Sequence, residues 1–339
     1  MVASRFDLAS TPDKLMVNET TRPRISQEDL ERLREHRSLP NLIKIPLFTA
    51  MMVLLTVLAW ETSSEVVRWT AFIALGYLWM SMVTFMHDAT HNAMFHGRFA
   101  NLAFGIVSMI PIFVTFITFK EDHLEHHRFN RSAADPDAFT MGKRGFADFL
   151  LFYAYLLIGG LLSFIHFNFI YPAQKFGAKL WSIHLFEIAL KGAVCWLVLS
   201  IASEHGVLIK TLEVWLWPVF FFSLFNSMRF IAEHYGTPWN AGQLAGTRTI
   251  VSNPVHAFFW NNINWHIGHH VYPNVPWYNL VELHRLLEPQ IAASGAIVDR
   301  GYFSVFMNAV RNGPESEERL AQALAERRGS DSPALVARA

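Results

Sequence analysis

Apolar residues along this chain gather into long runs separated by short polar joints. Residues 43–60 and 66–86 form two such runs joined by ETSSE, and residues 183–202 and 207–228 form two more joined by SEHG. A helix that crosses a bilayer needs about 20 apolar residues. Each pair therefore reads as a transmembrane helical hairpin, with Glu61, Glu65 and Glu204 near the tips. Two further runs are ambiguous. Residues 99–119 contain Pro111, and residues 146–171 carry Asp148, His166 and Asn168 among many Phe and Tyr, a mixture that suits a membrane–water interface. The pattern predicts an all-α integral membrane protein with about four spans. The two ambiguous runs would then be interfacial, re-entrant or buried in protein; six spans is the rival count.

Charge gives the orientation. Lys and Arg concentrate in the N-terminal arm (Arg32, Arg34, Arg37, Lys44), in the central segment (Lys120, Arg128, Arg131, Lys143, Arg144) and between the hairpins (Lys175, Lys179), while both tips have none. Basic residues stay cytoplasmic, so both termini and the central segment are expected in the cytoplasm, and the protein in a bacterial inner membrane. Three parts are expected: a polar arm over residues 1–40, a membrane domain over 41–300, and a cytosolic C-terminal part over 301–339. In the last, residues 315–328 read as a charged helix and the remainder as a disordered tail. Residues 1–40 lack the apolar core of a signal peptide, so neither cleavage nor export is expected.

Composition removes several classes. Hydrophobic residues make up 52% of the 339 and charged residues 17%, against about 25% in soluble proteins. Lys+Arg and Asp+Glu are 28 each, so the chain lacks the basic excess of a nucleic-acid binder. Cys195 is the sole cysteine. It cannot form an internal disulfide, a Cys-ligated zinc site or an iron–sulfur cluster.

Histidine is the outlier, with 16 residues. Eight stand in three clusters: His87 and His91 in HDATH, His123, His126 and His127 in HLEHH, and His266, His269 and His270 in HIGHH. Spacings of three and four put side chains on one helix face, so each cluster is expected to converge. HxxxH alone is a weak signal, but two HxxHH motifs exceed what this composition gives by chance. All three lie at the cytoplasmic ends of predicted spans. Neutral imidazole is a common metal ligand, and eight are too many for one ion. Neither HExxH nor Glu-x-x-His occurs, which excludes the zinc-protease and carboxylate di-iron patterns. Imidazole suits zinc, copper, iron and nickel; a histidine-rich dinuclear iron site is the best reading, suited to O2 chemistry on an apolar molecule dissolved in the membrane.

At these residues the sequence resembles the membrane fatty-acid desaturase superfamily, whose three histidine boxes here stand as HDATH, HLEHH and HIGHH. Their surroundings are similar too: HDATHNAMFHGRFANLAFG, HLEHHRFNRSAADPDAF, RFIAEHYG and WNNINWHIGHHVYPNVPWYNLVELH, over roughly residues 40–290. The resemblance implies a di-iron centre in a cytosolic helical cap, held by His87, His91, His123, His126, His127, His266, His269 and His270, with His234 of AEHYG as the ninth ligand. Some acyl-CoA desaturases carry, four residues before the equivalent of His234, an Asn that reaches iron through water. Here Phe230 stands there, so that water is missing or another residue such as Asn262 replaces the Asn. Because all ligands must reach one side, residues 99–119 cannot be a single crossing and should be re-entrant or surface-lying.

Metal-bound imidazoles usually donate their other N–H to a carboxylate or carbonyl. The candidates are Asp135 and Glu233, with Asp88, Glu125 and Asp137 behind them. The activity implied is O2-dependent desaturation of a fatty-acyl chain. An oxygenase of the same superfamily, a carotenoid ketolase or hydroxylase or an alkane or acyl hydroxylase, is the alternative. A non-catalytic metal or heme carrier is remote, because its histidines would sit within the spans. With no heme-binding HPGG and no nucleotide fingerprint, a separate donor (ferredoxin, rubredoxin or cytochrome) with its reductase is expected. Arg128 with Arg131, or Lys143 with Arg144, could dock it, unless they simply mark topology. The isolated His36, His96, His166, His184, His205, His256 and His284 are not expected to be ligands.

Overall fold

The computed structural model describes residues 23–142 and 145–316. The predicted soluble helix over 315–328 lies almost wholly outside the described residues, as do Lys143 and Arg144. The fold is built from helices: α1 (Gln27–Arg34), α2 (Ser38–Glu61), α3 (Glu65–Thr90), α4 (Arg98–Ser108), α5 (Phe116–Phe129), α6 (Phe146–Ile165), α7 (Tyr171–Lys175), α8 (Ala178–Glu204) and α9 (Leu208–His234). Shorter elements follow: α10 (Gly242–Ala245), β1 (Arg248–Val251), α11 (Pro254–Phe259), α12 (His266–Val271), α13 (Leu280–Ser294), β2 (Ile297–Arg300) and α14 (Tyr302–Asn312). The pattern did not predict the parallel pairing of β1 with β2.

Helices α2, α3, α8 and α9 are each long and apolar enough to cross a membrane, as is the continuous segment Phe146–Lys175, which makes five by length and composition among the described residues. Their burial differs. Most of the apolar stretch of α3 is buried, whereas α2, α8 and α9 leave large apolar side chains bare, such as Leu54, Trp196 and Ile209. Bare apolar surface on this scale marks contact with lipid. Ser64 opens α3 by accepting from the Val67 amide. Gly76 then lets α3 meet α9 closely, since a Cβ there would lie 2.6 Å from that of Phe221.

Residues 98–129 form a helix–turn–helix that doubles back on itself. Helix α4 leads to a single turn at Ile110–Ile112, and α5 returns carrying HLEHH. Irregular backbone at membrane depth survives only where protein satisfies its polar groups, and here it does. Trp215 Nε1 donates to the Pro111 carbonyl (2.8 Å), and Asn168 Nδ2 to that of Phe113 (2.7 Å). Lys191 Nζ donates to Val114 O, and the Glu187 carboxylate accepts from the amides of Phe116 (2.6 Å) and Ile117 (2.9 Å). A carboxylate at a helix N-terminus fills orphan N–H groups and complements the helix dipole.

The run from Phe146 to Lys175 also begins and ends at the histidine side. Phe152 near its start packs on Tyr235, next to His234, and Lys175 at its end pairs with Glu125 of HLEHH (3.1 Å). Between them it bends at Ile158, whose backbone is non-helical, and through a π turn at His166–Ile170. The described residues of the arm and of the C-terminal part are packed as well. Leu30 and Leu33 of α1 join Ile267, Leu283 and Leu287 in a small core, and α14 lies against α9.

Candidate metal centre

Four elements end together. The last turn of α3 carries His87, with His91 capping it; α5 carries His123, His126 and His127; α9 ends on His234; and α12 carries His266, His269 and His270. All nine predicted side chains meet, but each HxxHH box divides. On a helix a four-residue step turns about +40° and a three-residue step about −60°, so the third and fourth residues on diverge by about 100°. His123 and His127 stay together (Nε2 to Nε2, 3.0 Å), while His126 turns toward His234 (3.2 Å).

Two clusters result. His87, His91, His123, His127 and His269 offer five ligand atoms within 4.8 Å of one another. His126, His234 and His270 form the second, and His266 joins it with its Nε2 3.1 Å from that of His234. Neighbouring residues thus serve different clusters, His126 against His127 and His269 against His270. The clusters touch, the rings of His127 and His270 stacking at 4.1 Å.

The nitrogens fit a metal. Nε2 faces Nε2 in the pairs His123–His127, His127–His269, His126–His234 and His234–His266 at 3.0–3.2 Å. Nε2 of His87, His91 and His270 is buried with no partner at all. Buried polar groups without partners are rare and costly, and a cation at the focus of each cluster would satisfy those of that cluster. Burial, helped by the charge of Lys120, pushes His91 down to about 3. Burial and the neighbouring imidazoles hold His123, His127, His266, His269 and His270 well below the ordinary value. Neutral rings are what a metal requires. His126 is the exception: burial would lower it, but the Asp135 and Asp137 carboxylates outweigh burial and raise it to about 9.

The outer partners follow the expectations in part. Asp135 Oδ1 lies 3.0 Å from His126 Nδ1, and its other oxygen accepts from the Arg131 amide (2.7 Å). Asp137 lies 3.2 Å from the same nitrogen. Glu233 is near a ligand but on the other side: Oε2 is 3.4 Å from His266 Nε2, while Arg229 holds Oε1 (2.7 Å). Asn262 is held by the loop that follows HIGHH. Its amide donates to the Trp277 carbonyl (3.1 Å), and Phe230 stacks on Phe139. Glu125 pairs with Lys175, and Arg131 is buried against Glu315 (2.5 Å), which removes Arg131 as an exposed docking charge. Among the isolated histidines, His36 bonds Asn92 O, His166 bonds Asp122, and His256 bonds Tyr77.

Three contributors escaped the sequence reading. Gln243 takes His270 Nδ1 on its Oε1 (3.0 Å) while donating to His127 O (2.6 Å). The Gly246 carbonyl faces His234 Nδ1 at 3.3 Å. Glu315 joins the Gly236 amide, just past His234, to Arg131, just past HLEHH. A backbone carbonyl leaves no trace in sequence, and a lone Gln or Glu far along the chain carries no spacing signal.

Comparison with known proteins agrees with this geometry. The family model described as fatty acid desaturase matches residues 64–302 and so spans all three boxes and His234. No curated protein matches the chain.

Proposed function

Because the chain belongs to the fatty acid desaturase family, we propose that this membrane protein is a di-iron oxidoreductase that desaturates a fatty-acyl chain with O2 and two external electrons. The observation that carries the reading is the division of nine imidazoles into adjoining groups of five and four, each with its free nitrogens converging. Imidazole sites suit iron as well as copper, zinc and nickel, and the family favours iron among them.

Bound there, the iron pair supplies activation of O2 and removal of hydrogen from an unactivated C–H bond. The reaction balances as –CH2–CH2– plus O2, two electrons and two protons, giving –CH=CH– and two waters. The protein does the rest. Histidines from four elements fix the two positions, and Asp135, Gln243 and Gly246 O orient three of the rings. The site is closed to bulk water, since eight of the nine rings are buried and His123 is half-buried. The apolar helices deliver a substrate dissolved in lipid, with both termini and the histidines on the cytoplasmic side of a bacterial inner membrane. Electrons come from a ferredoxin, rubredoxin or cytochrome with its reductase. Exposed Arg128 is a docking charge available to an acidic donor.

The test uses the full chain, iron-loaded, in vesicles with a reductase system, deuterated acyl lipids and 18O2. Loss of two hydrogens with no label in the product supports desaturation. Incorporation of 18O moves the assignment to a hydroxylase or ketolase. Oxygen consumption with neither product overturns both.

A further inference from the structure

Lys44 counts in the sequence as one more positive charge at the end of a span, but in the structure it points inward and is 1% exposed. Its ammonium lies 3.8 Å from the Trp277 ring centre, 4.4 Å from that of Phe258 and 5.3 Å from those of Phe48 and Phe85. It donates to the Phe258 carbonyl and to Asn261 Oδ1 (2.7 Å). Asn261 passes the contact on, its Nδ2 donating to Asp88 Oδ2 (3.0 Å). The other oxygen of Asp88 lies 3.4 Å from His87 Nδ1. All four residues are buried. Asn261 also sits in the left-handed region (φ +52°), in the turn that leads into HIGHH.

This chain has a direction. An ammonium has donors only, whereas a carboxamide has one accepting and one donating end. Lys44 therefore forces Asn261 to turn its oxygen toward α2 and its NH2 toward Asp88. Asp88 then receives one donor from Asn261 and keeps its second oxygen for the His87 Nδ1–H. The partner of one ring nitrogen fixes the tautomer, and so the lone pair on the other. The lone pair left on His87 Nε2 is one of the unpartnered atoms that face the five-imidazole cluster.

We propose that Lys44 is a positioning residue of the metal centre: acting through Asn261 and Asp88, it sets the tautomer and orientation of His87. The inference rests on the metal reading above. A lysine enclosed by aromatic rings costs desolvation, and its hydrogen bonds to the Phe258 carbonyl and Asn261 offset that cost.

The experiment titrates the purified full chain in detergent with Co2+, read by its visible ligand-field bands and by chelator competition. The wild type is expected to hold two Co2+. Lys44→Met should weaken one of them by about 10–100-fold and leave the other unchanged. In an Asp88→Asn background the same substitution should have no further effect, because the chain is already broken. Asn261→Gly, which tolerates the left-handed backbone, cuts the middle link and carries the same expectation should Lys44→Met fail to fold. Phe48→Leu, in the same core but outside the chain of hydrogen bonds, should leave both affinities alone. Both ions bound as in wild type, both weakened equally, or additive effects of Lys44→Met and Asp88→Asn would each overturn the proposal. A wild type that holds no Co2+ overturns the metal reading itself, a failure distinguishable from the others.

Discussion

The two histidine clusters are built from the same side chain and held in different ways. In the five-imidazole cluster the rings project from regular helix ends, and packing does most of the holding. His127 Nδ1 has no partner, and Asp88 reaches His87 only at 3.4 Å. Behind it lies a continuous core that includes Phe85, Met86, Ala89 and Phe116. In the four-imidazole cluster, His126, His234 and His270 each have a polar partner at Nδ1: Asp135, Gly246 O and Gln243, all from turns or the short α10. A carboxylate behind an imidazole raises its basicity and strengthens it as a ligand. Two ions held here would be chemically unequal, one held mainly by packing with a single polar chain behind His87, the other backed at three of its rings by polar groups.

The strongest way to break that contrast uses adjacent residues. His269→Ala and His270→Ala differ by one position yet strike different clusters. Each should lower bound metal from two ions to one and abolish turnover, with metal analysis showing a different ion lost in each. If both variants lose the same ion, the division into five and four is wrong.

Next in size is the clamp on the polar cluster. Glu315 and Arg131 are both buried and paired at 2.5 Å. Removing one partner of a buried pair strands the other charge, at a cost of about 3–5 kcal/mol. Glu315→Ala should therefore lower the thermal unfolding temperature measured in detergent. It should also release metal from the four-imidazole cluster first, because Gly236 and Arg131 flank His234 and HLEHH.

The sequence made the elements of this centre visible and left their partition hidden. Helical phase was available in the spacing, since His123, His126 and His127 were already known to share a helix. Yet one face of a helix is broad enough to read as one patch, and only the positions of α3, α9 and α12 decide which ring turns which way. That residues 99–119 do not make a single crossing could be expected from the need to bring HLEHH to the same side as HDATH. The groups that make it tolerable could not: Glu187 and Lys191 look like stray charges within an apolar run until residues 114–117 lie against them. Lys44 misled for the same reason. Charge counting treats every lysine at a span end as solvated, and burial is a property of the packing around it.

A more moderate effect sharpens the contrast. Asp135→Asn keeps the shape of the side chain but takes the carboxylate from His126. The four-imidazole ion should bind about 10–100-fold more weakly and the five-imidazole ion as before, as read by Co2+ competition. Equal weakening of both would mean that the two clusters share their outer support.

The smallest effect concerns the packing that backs both clusters at once. Helix α12 supplies rings to each, and α13 lies behind it, with Leu283 against Gly268 and the His284 ring 4.5 Å from that of Trp265. Nδ1 of His284 is buried without a partner, and burial lowers the ring's pKa to about 4. In the unfolded chain it titrates near 6.5. The folded state therefore resists protonation. Its stability is full above 6.5 and falls as the pH drops from there toward 4. Between pH 7 and 5.5 the loss is about 1 kcal/mol, or about 1–2 °C of unfolding temperature for a chain of this size. His284→Leu should remove that part of the acid sensitivity and leave the affinity of both ions intact at neutral pH, because an apolar side chain serves the packing as well as a neutral imidazole. If His284→Leu instead weakens one ion alone, then α13 holds that cluster through something more directed than shape, and the contrast between a cluster held mainly by packing and one backed by polar groups fails at this point.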